Sequence, residues 1–138
     1  MQLLRMTRGE DQPDAVAPAL DQVQLDVSAL LGTWWNTDKA TRGISKLVLS
    51  EAGPSLLVQA FGACQPEPCD WGTAKAVSFS ASVTSREAIA FTAHFDFGFM
   101  QTTLAVYMKG GILVLDSFNE FKDSSGRCDY FSREFFHN

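Results

Sequence analysis

From Gly32 onward, apolar and polar residues alternate with a period of two through a series of short segments. In AIAFTAHFDF, residues 88–97, Ile89, Phe91, Ala93, Phe95 and Phe97 fall on one face, and Thr92, His94 and Asp96 on the other. In residues 100–109, Met100, Leu104, Val106 and Met108 oppose Gln101, Thr103, Tyr107 and Lys109. In RCDYFSREFF, residues 127–136, Phe131 and Phe135 flank Arg133. The stretch GGILVLDSFNEF, residues 110–121, is apolar on both faces at its start, as in a strand covered on both sides. The period predicts strands near 33–37, 43–50, 55–62, 73–82, 87–96, 99–109, 111–121 and 127–136. Between them lie turn-forming clusters, among them EAGP at 51–54, CQPEPCD at 64–70, KGG at 109–111 and KDSSGR at 122–127. Eight strands with links this short predict an all-β antiparallel meander. An open meander leaves two unpaired edges, so closure into an up-and-down barrel is the expected architecture.

Upstream the spacing changes. Val16, Leu20, Val23, Val27, Leu30 and Leu31 recur at helical intervals, which predicts a short amphipathic helix within 15–31. Asp26 or Ser28 is placed to cap a last turn ending at Gly32. Residues 1–14 are polar and charged and read as a mobile tail, leaving 15–138 as one domain. A chain of 138 residues holds one core. A net charge of −5 argues against nucleic acid, because phosphate contact requires clustered Lys and Arg. No apolar run approaches the ~20 residues of a membrane span. The start turns acidic before any apolar stretch, unlike a signal peptide, so the expected compartment is the cytoplasm, with a secreted origin left open.

Two resemblances add to this reading. A short helical turn running into Gly-x-Trp on the first strand, at Gly32 and Trp34, resembles the lipocalin and calycin barrels. The resemblance implies that Trp34 closes one barrel end and that a last-strand arginine, here Arg133, packs over it. The segments NTDKATRGI, FGACQPEPCDWG and DSSGRCDYF are similar to a poorly described group of small bacterial β-domains with a Gly-x-Cys-x-Pro-x-x-Cys-Asp-Trp-Gly signature. That likeness implies no activity.

Candidate chemistry is sparse. Cys64 and Cys69 form one loose pair, and a zinc site would need Cys128 and His94 from distant strands, so no metal or other cofactor is expected. The pair is either a disulfide across a tight hairpin or two free thiols, and in both cases the two prolines fix the path into Asp70 and Trp71. Trp71 packs on the barrel rim or lines its mouth. Trp35 points opposite to Trp34, and Arg42 lies in a loop that overhangs the open end, where it could hold a carboxylate or phosphate. His94 and Asp96 share a face. Turned inward they would be an acid/base pair in a cavity, and turned outward, the default beside so many phenylalanines, they are surface groups. The same ambiguity holds for Tyr107 and Glu120.

Three functions follow as expectations. The first is a binder of a small apolar molecule, with Trp35, Arg42, Trp71, His94 and Tyr107 as ligand contacts. The second is a small barrel enzyme, a cyclase or isomerase of a hydrophobic metabolite, using His94, Asp96, Tyr107 and Glu120 to move protons. The third is a protein- or glycan-interaction module anchored on Trp71. The 11 phenylalanines could also fill the interior completely, which would leave only the third.

Overall fold

The structure, a computed structural model, describes residues 23–138. The expected tail at 1–14 and the first half of the expected helix lie outside the described residues. Eight strands follow one another around a closed antiparallel barrel. They are β1 (Gly32–Asn36), β2 (Ile44–Ala52), β3 (Ser55–Gly62), β4 (Cys69–Ser80), β5 (Ala88–Asp96), β6 (Met100–Lys109), β7 (Ile112–Phe121) and β8 (Tyr130–His137). Every strand pairs with its sequence neighbours, and β1 closes on β8. The ladders differ in length: β6 and β7 pair continuously from Met100↔Phe121 to Lys109↔Ile112, whereas the β1–β8 seam holds only Trp35↔His137 and Asn36↔Phe136. This architecture is compatible with the calycin resemblance.

The helix expected before β1 is not found in its described part. The only helical element among the described residues is a 3-10 turn, Ser28–Leu30. The reason lies in Asp26, whose backbone is engaged elsewhere. Its N–H donates to Arg86 O at 2.7 Å and its carbonyl accepts from Ala88 N–H at 2.9 Å, forming a bridge to the β4–β5 loop. Backbone groups committed to that bridge cannot join a helical ladder. The Asp26 carboxylate instead accepts from Ser28 N–H at 3.0 Å, which holds its pKa below the ordinary carboxylate range.

The turn plugs one end of the barrel. Leu30 and Val27 are buried there against Trp34, whose indole N–H donates to Leu30 O at 2.9 Å. Above the plug the lower interior is packed by Leu47, Leu49, Val58, Phe91, Leu104 and Phe136, among others. The apolar floor is therefore solid. Most phenylalanines do not take part in it: Phe118, Phe131 and Phe135 are 48%, 51% and 45% exposed on the outer wall.

Candidate functional site

The open end is the one carrying the β1–β2, β3–β4, β5–β6 and β7–β8 loops. Inward-facing positions change character at a common height as the strands approach it. On β7 they read Leu113, Leu115, Ser117, Asn119; on β1, Trp34 then Asn36; on β8, Phe136 then Glu134 and Ser132; on β6, Val106, Leu104, then Thr102. A barrel interior needs only apolar volume to be stable, so a polar ring deep in the wall calls for a reason. Asn36, Thr102, Ser117 and Asn119 are all buried.

These side chains bond to one another. Thr102 Oγ1 donates to Asn119 Oδ1 at 2.7 Å, and Asn119 Nδ2 donates to Ser117 Oγ at 3.2 Å and to Tyr130 O at 3.3 Å. The Ser117 and Ser132 hydroxyls lie 2.6 Å apart. Glu134 is fixed from the other side, where Asn36 Nδ2 donates to its Oε2 at 2.8 Å, the Thr41 hydroxyl donates to the same oxygen, and Ile44 N–H reaches Oε1 at 3.4 Å. Asn36 also donates to Ile44 O at 2.9 Å. Among the described residues no buried side-chain polar atom lacks a partner. The wall is thus a finished network that orients its groups in advance.

Facing it is an aromatic corner. Trp71 meets Phe95 and Phe97 edge-on, with ring centroids 5.9 and 5.1 Å away. Gly62 makes this possible, since a Cβ there would stand 2.8 Å from the indole Nε1. Between the walls lies a cavity of about 570 Å3, lined by Asn36, Ser117, Asn119, Ser132 and Glu134 on one side and by Trp71, Ile44 and Met100 elsewhere. That is room for roughly twenty waters, within the range of small-molecule sites. A second recess of about 690 Å3 lies on the outer side, between the β1–β2 loop and the cysteine loop, and includes Trp35 and His137. Its polar groups serve their own loops, as where Asp38 caps Ala40 N–H and Ser45 bonds Phe61 O. No side-chain network converges there, so the cup within the barrel is the stronger site.

The sequence-derived candidates divide sharply. Trp71 lines the cup and packs on its rim at once. Arg42 is exposed at the mouth. Trp35 faces outward, with the Lys46 ammonium 5.2 Å from its ring. His94, Asp96, Tyr107 and Glu120 all lie on the outward faces of their strands, so they do not form an acid/base group in the cavity. Strand alternation imposes this, because their neighbours Phe95, Val106 and Asn119 point in. His94 Nδ1 lies 3.2 Å from Thr103 Oγ1, and Glu120 accepts from Gln101 at 2.9 Å. Asp96 accepts from Lys122 at 2.9 Å and from Gly98 N–H, and the Lys122 bond is the main reason its pKa is held below the ordinary range. Together with Arg127, whose guanidinium lies 5.6 Å from the Phe99 ring, this ties the 122–129 loop to the β5–β6 turn.

Arg133 also departs from what the lipocalin resemblance implies. Its guanidinium donates to Asp116 at 2.6 and 3.0 Å on the outer wall, so it does not pack over Trp34. The register dictates this: Arg133 stands directly opposite Asp116 while its neighbours Ser132 and Glu134 turn inward. Asp116 holds the guanidinium even more firmly protonated than usual. Cys64 and Cys69 are joined as a disulfide, so neither thiolate is free for a metal, and Cys128 is an exposed free thiol on the β7–β8 loop. Ser117, Asn119, Ser132 and Glu134 are the site residues that the sequence pattern did not single out. In FSREFF, Ser132 and Glu134 share a face with Phe136 and oppose Phe131 and Phe135, but the alternation does not say which face is inward. No known protein family, curated protein or solved structure matches the chain.

Proposed function

We propose that the protein binds a small molecule in the cup at the open end of the barrel. The observation that carries this is the composition of the cavity wall. An open space of about 570 Å3 sits above a packed apolar floor, with a pre-bonded polar network on one side and Trp71 on the other. An apolar occupant binds through Trp71, Ile44 and Met100 but gains nothing from the half-buried Ser132 and Glu134, which it would cover without replacing their water contacts. An amphipathic one satisfies both walls. Apolar area removed from water against Trp71, Ile44 and Met100 contributes roughly 25 cal/mol per Å2, and the polar wall sets orientation. The outward placement of His94, Asp96, Tyr107 and Glu120 favours binding over the cyclase or isomerase reading.

Titration with a neutral anilinonaphthalene dye tests the cup. A single saturable site of about micromolar affinity is expected, with a shift of the Trp71 indole N–H resonance. Two variants locate it. Ser132→Leu fills the cavity. Gly43→Ala places a Cβ 2.6 Å from Glu134 Oε1, the end of a flexible side chain that can move aside without unfolding the barrel. Both are expected to weaken dye binding while the protein stays folded. Dye binding unchanged in the two variants would move the site out of the cup.

A further inference from the structure

The two walls also define the chemical class of the occupant, an inference that rests on the cup being the binding site. The polar wall offers an unusual mixture within a small area. Ser117 and Ser132 each donate and accept and Glu134 accepts only, while Asn36 and Asn119 spend their amide hydrogens on Ile44 O, Glu134, Ser117 and Tyr130 O and hold those groups in place. These groups come from three neighbouring strands, which lie about 4.8 Å apart, and from alternate residues along each, about 7 Å apart. Sugar hydroxyls have the same double character as the serine hydroxyls, each giving one hydrogen bond and receiving others.

Other ligand classes meet an obstacle. A carboxylate or phosphate at the polar wall would face the Glu134 carboxylate; of the two arginines that line the cavity, Arg42 is exposed at its mouth and Arg133 is bonded to Asp116. A hydrocarbon chain needs apolar depth, and that depth is occupied by Leu47, Val58, Leu104 and Phe136. A sugar ring meets neither problem. Its hydroxyl edge suits the polar wall, and the C–H face of a pyranose is an apolar plate of the size that an indole covers. The polar groups are already held by the Thr102–Asn119–Ser117–Ser132 chain and by the Asn36–Glu134 bond, so little ordering remains to be done on binding.

We propose that the cup takes a neutral pyranose, free or at the end of a glycan, with hydroxyls on Ser117, Asn119, Ser132 and Glu134 and its apolar face on Trp71. The test is a titration of isotope-labelled protein with methyl glucoside, galactoside and mannoside and with N-acetylglucosamine, followed by amide and indole resonances. Decanoic acid and the neutral anilinonaphthalene dye serve as comparisons. At least one sugar is expected to shift the Trp71 indole N–H and the Asn36 and Asn119 side-chain amides along one saturating curve, and to displace the dye. Glu134→Gln is expected to raise that Kd about tenfold, through loss of a charged acceptor. Ser132→Leu is expected to remove the response, with near-ultraviolet dichroism confirming the fold of both variants. If the dye occupies the cup and no sugar displaces it, the sugar assignment is wrong and the cup stands. Decanoic acid binding more tightly than every sugar overturns it likewise. Silence from dye and sugars alike removes both readings.

Discussion

Trp34 is held by three things at once: full burial, contact with the Leu30 plug and an indole hydrogen bond to a backbone carbonyl. Its truncation removes all three, and Trp34→Ala is expected to cost about 3–5 kcal/mol in denaturant unfolding. Arg133 lies on the opposite side of the wall and bonds only to Asp116. Arg133→Ala should therefore cost little, and the two losses should add, as they do for residues without shared partners. A coupling energy well above the error of the cycle would show that the two side chains touch. At this scale the sequence was readable wherever one face was uniformly apolar. Phe91, Phe95, Leu104 and Val106 are inside, and His94 and Asp96 outside, as alternation predicts. It misled at Arg133, where a family motif was matched by position along the chain and the pleat put the side chain on the other face. Polar residues pointing inward were invisible for a related reason. Periodicity says which residues share a face, and only burial says which face is in.

The strands themselves were legible, and the differences lie at their ends. β4 begins at Cys69 and not near 73, because Gly62↔Cys69 and Phe61↔Asp70 extend the ladder past a register shift between Gln59 and Phe61. A bulge has no signature in an alternating pattern beyond the residue that breaks it. β8 starts at Tyr130, since the residues before it form a loop closed by Arg127–Asp123 at 2.7 Å. The helix before β1 failed on a long-range contact, the Asp26–Glu87 bridge, that no local spacing encodes. The β3–β4 loop carries the disulfide, whose cysteines are five positions apart. Closing so short a loop restricts the unfolded chain only modestly, by about 2 kcal/mol on the chain-entropy account. Replacing both cysteines by serine is thus expected to lower unfolding stability by that amount or less. The Trp71 indole should keep its environment, since Phe95, Phe97 and Gly62 hold it independently of the loop. A displaced indole resonance in that variant would mean that the disulfide, and not the aromatic corner, positions Trp71.

For the molecule as a whole, net charge and acid response go together. Asp26, Asp96 and Asp123 are all held below the ordinary carboxylate value of 3.8: Asp26 mainly by its bond from the Ser28 backbone, Asp96 by Lys122, and Asp123 by Ser125. Their folded values lie under their unfolded ones, so the stabilisation is complete above the unfolded value and is lost as pH falls through the folded values. Melting temperature should accordingly hold steady from neutral pH to about pH 5 and decline in stronger acid. The decline should be shallower in Lys122→Ala, where Asp96 has lost its main partner. A melting temperature that rises on acidification below 3.8 would contradict the assignment of these bonds.

The thin seam between β1 and β8 has a consequence in time. Asn36 and Glu134 are 98 residues apart in sequence, so the contact that shuts the barrel closes nearly the longest loop in the chain. Loops of that length carry the largest entropy of closure, and topologies built on them form slowly. The hairpins from β2 to β7 need no such event, since each pairs with the strand made just before it. The floor can therefore assemble while β1 still lacks β8, with one unpaired edge on each side of the gap. Closing that seam is what joins Asn36 to Glu134 and completes the polar wall of the cup.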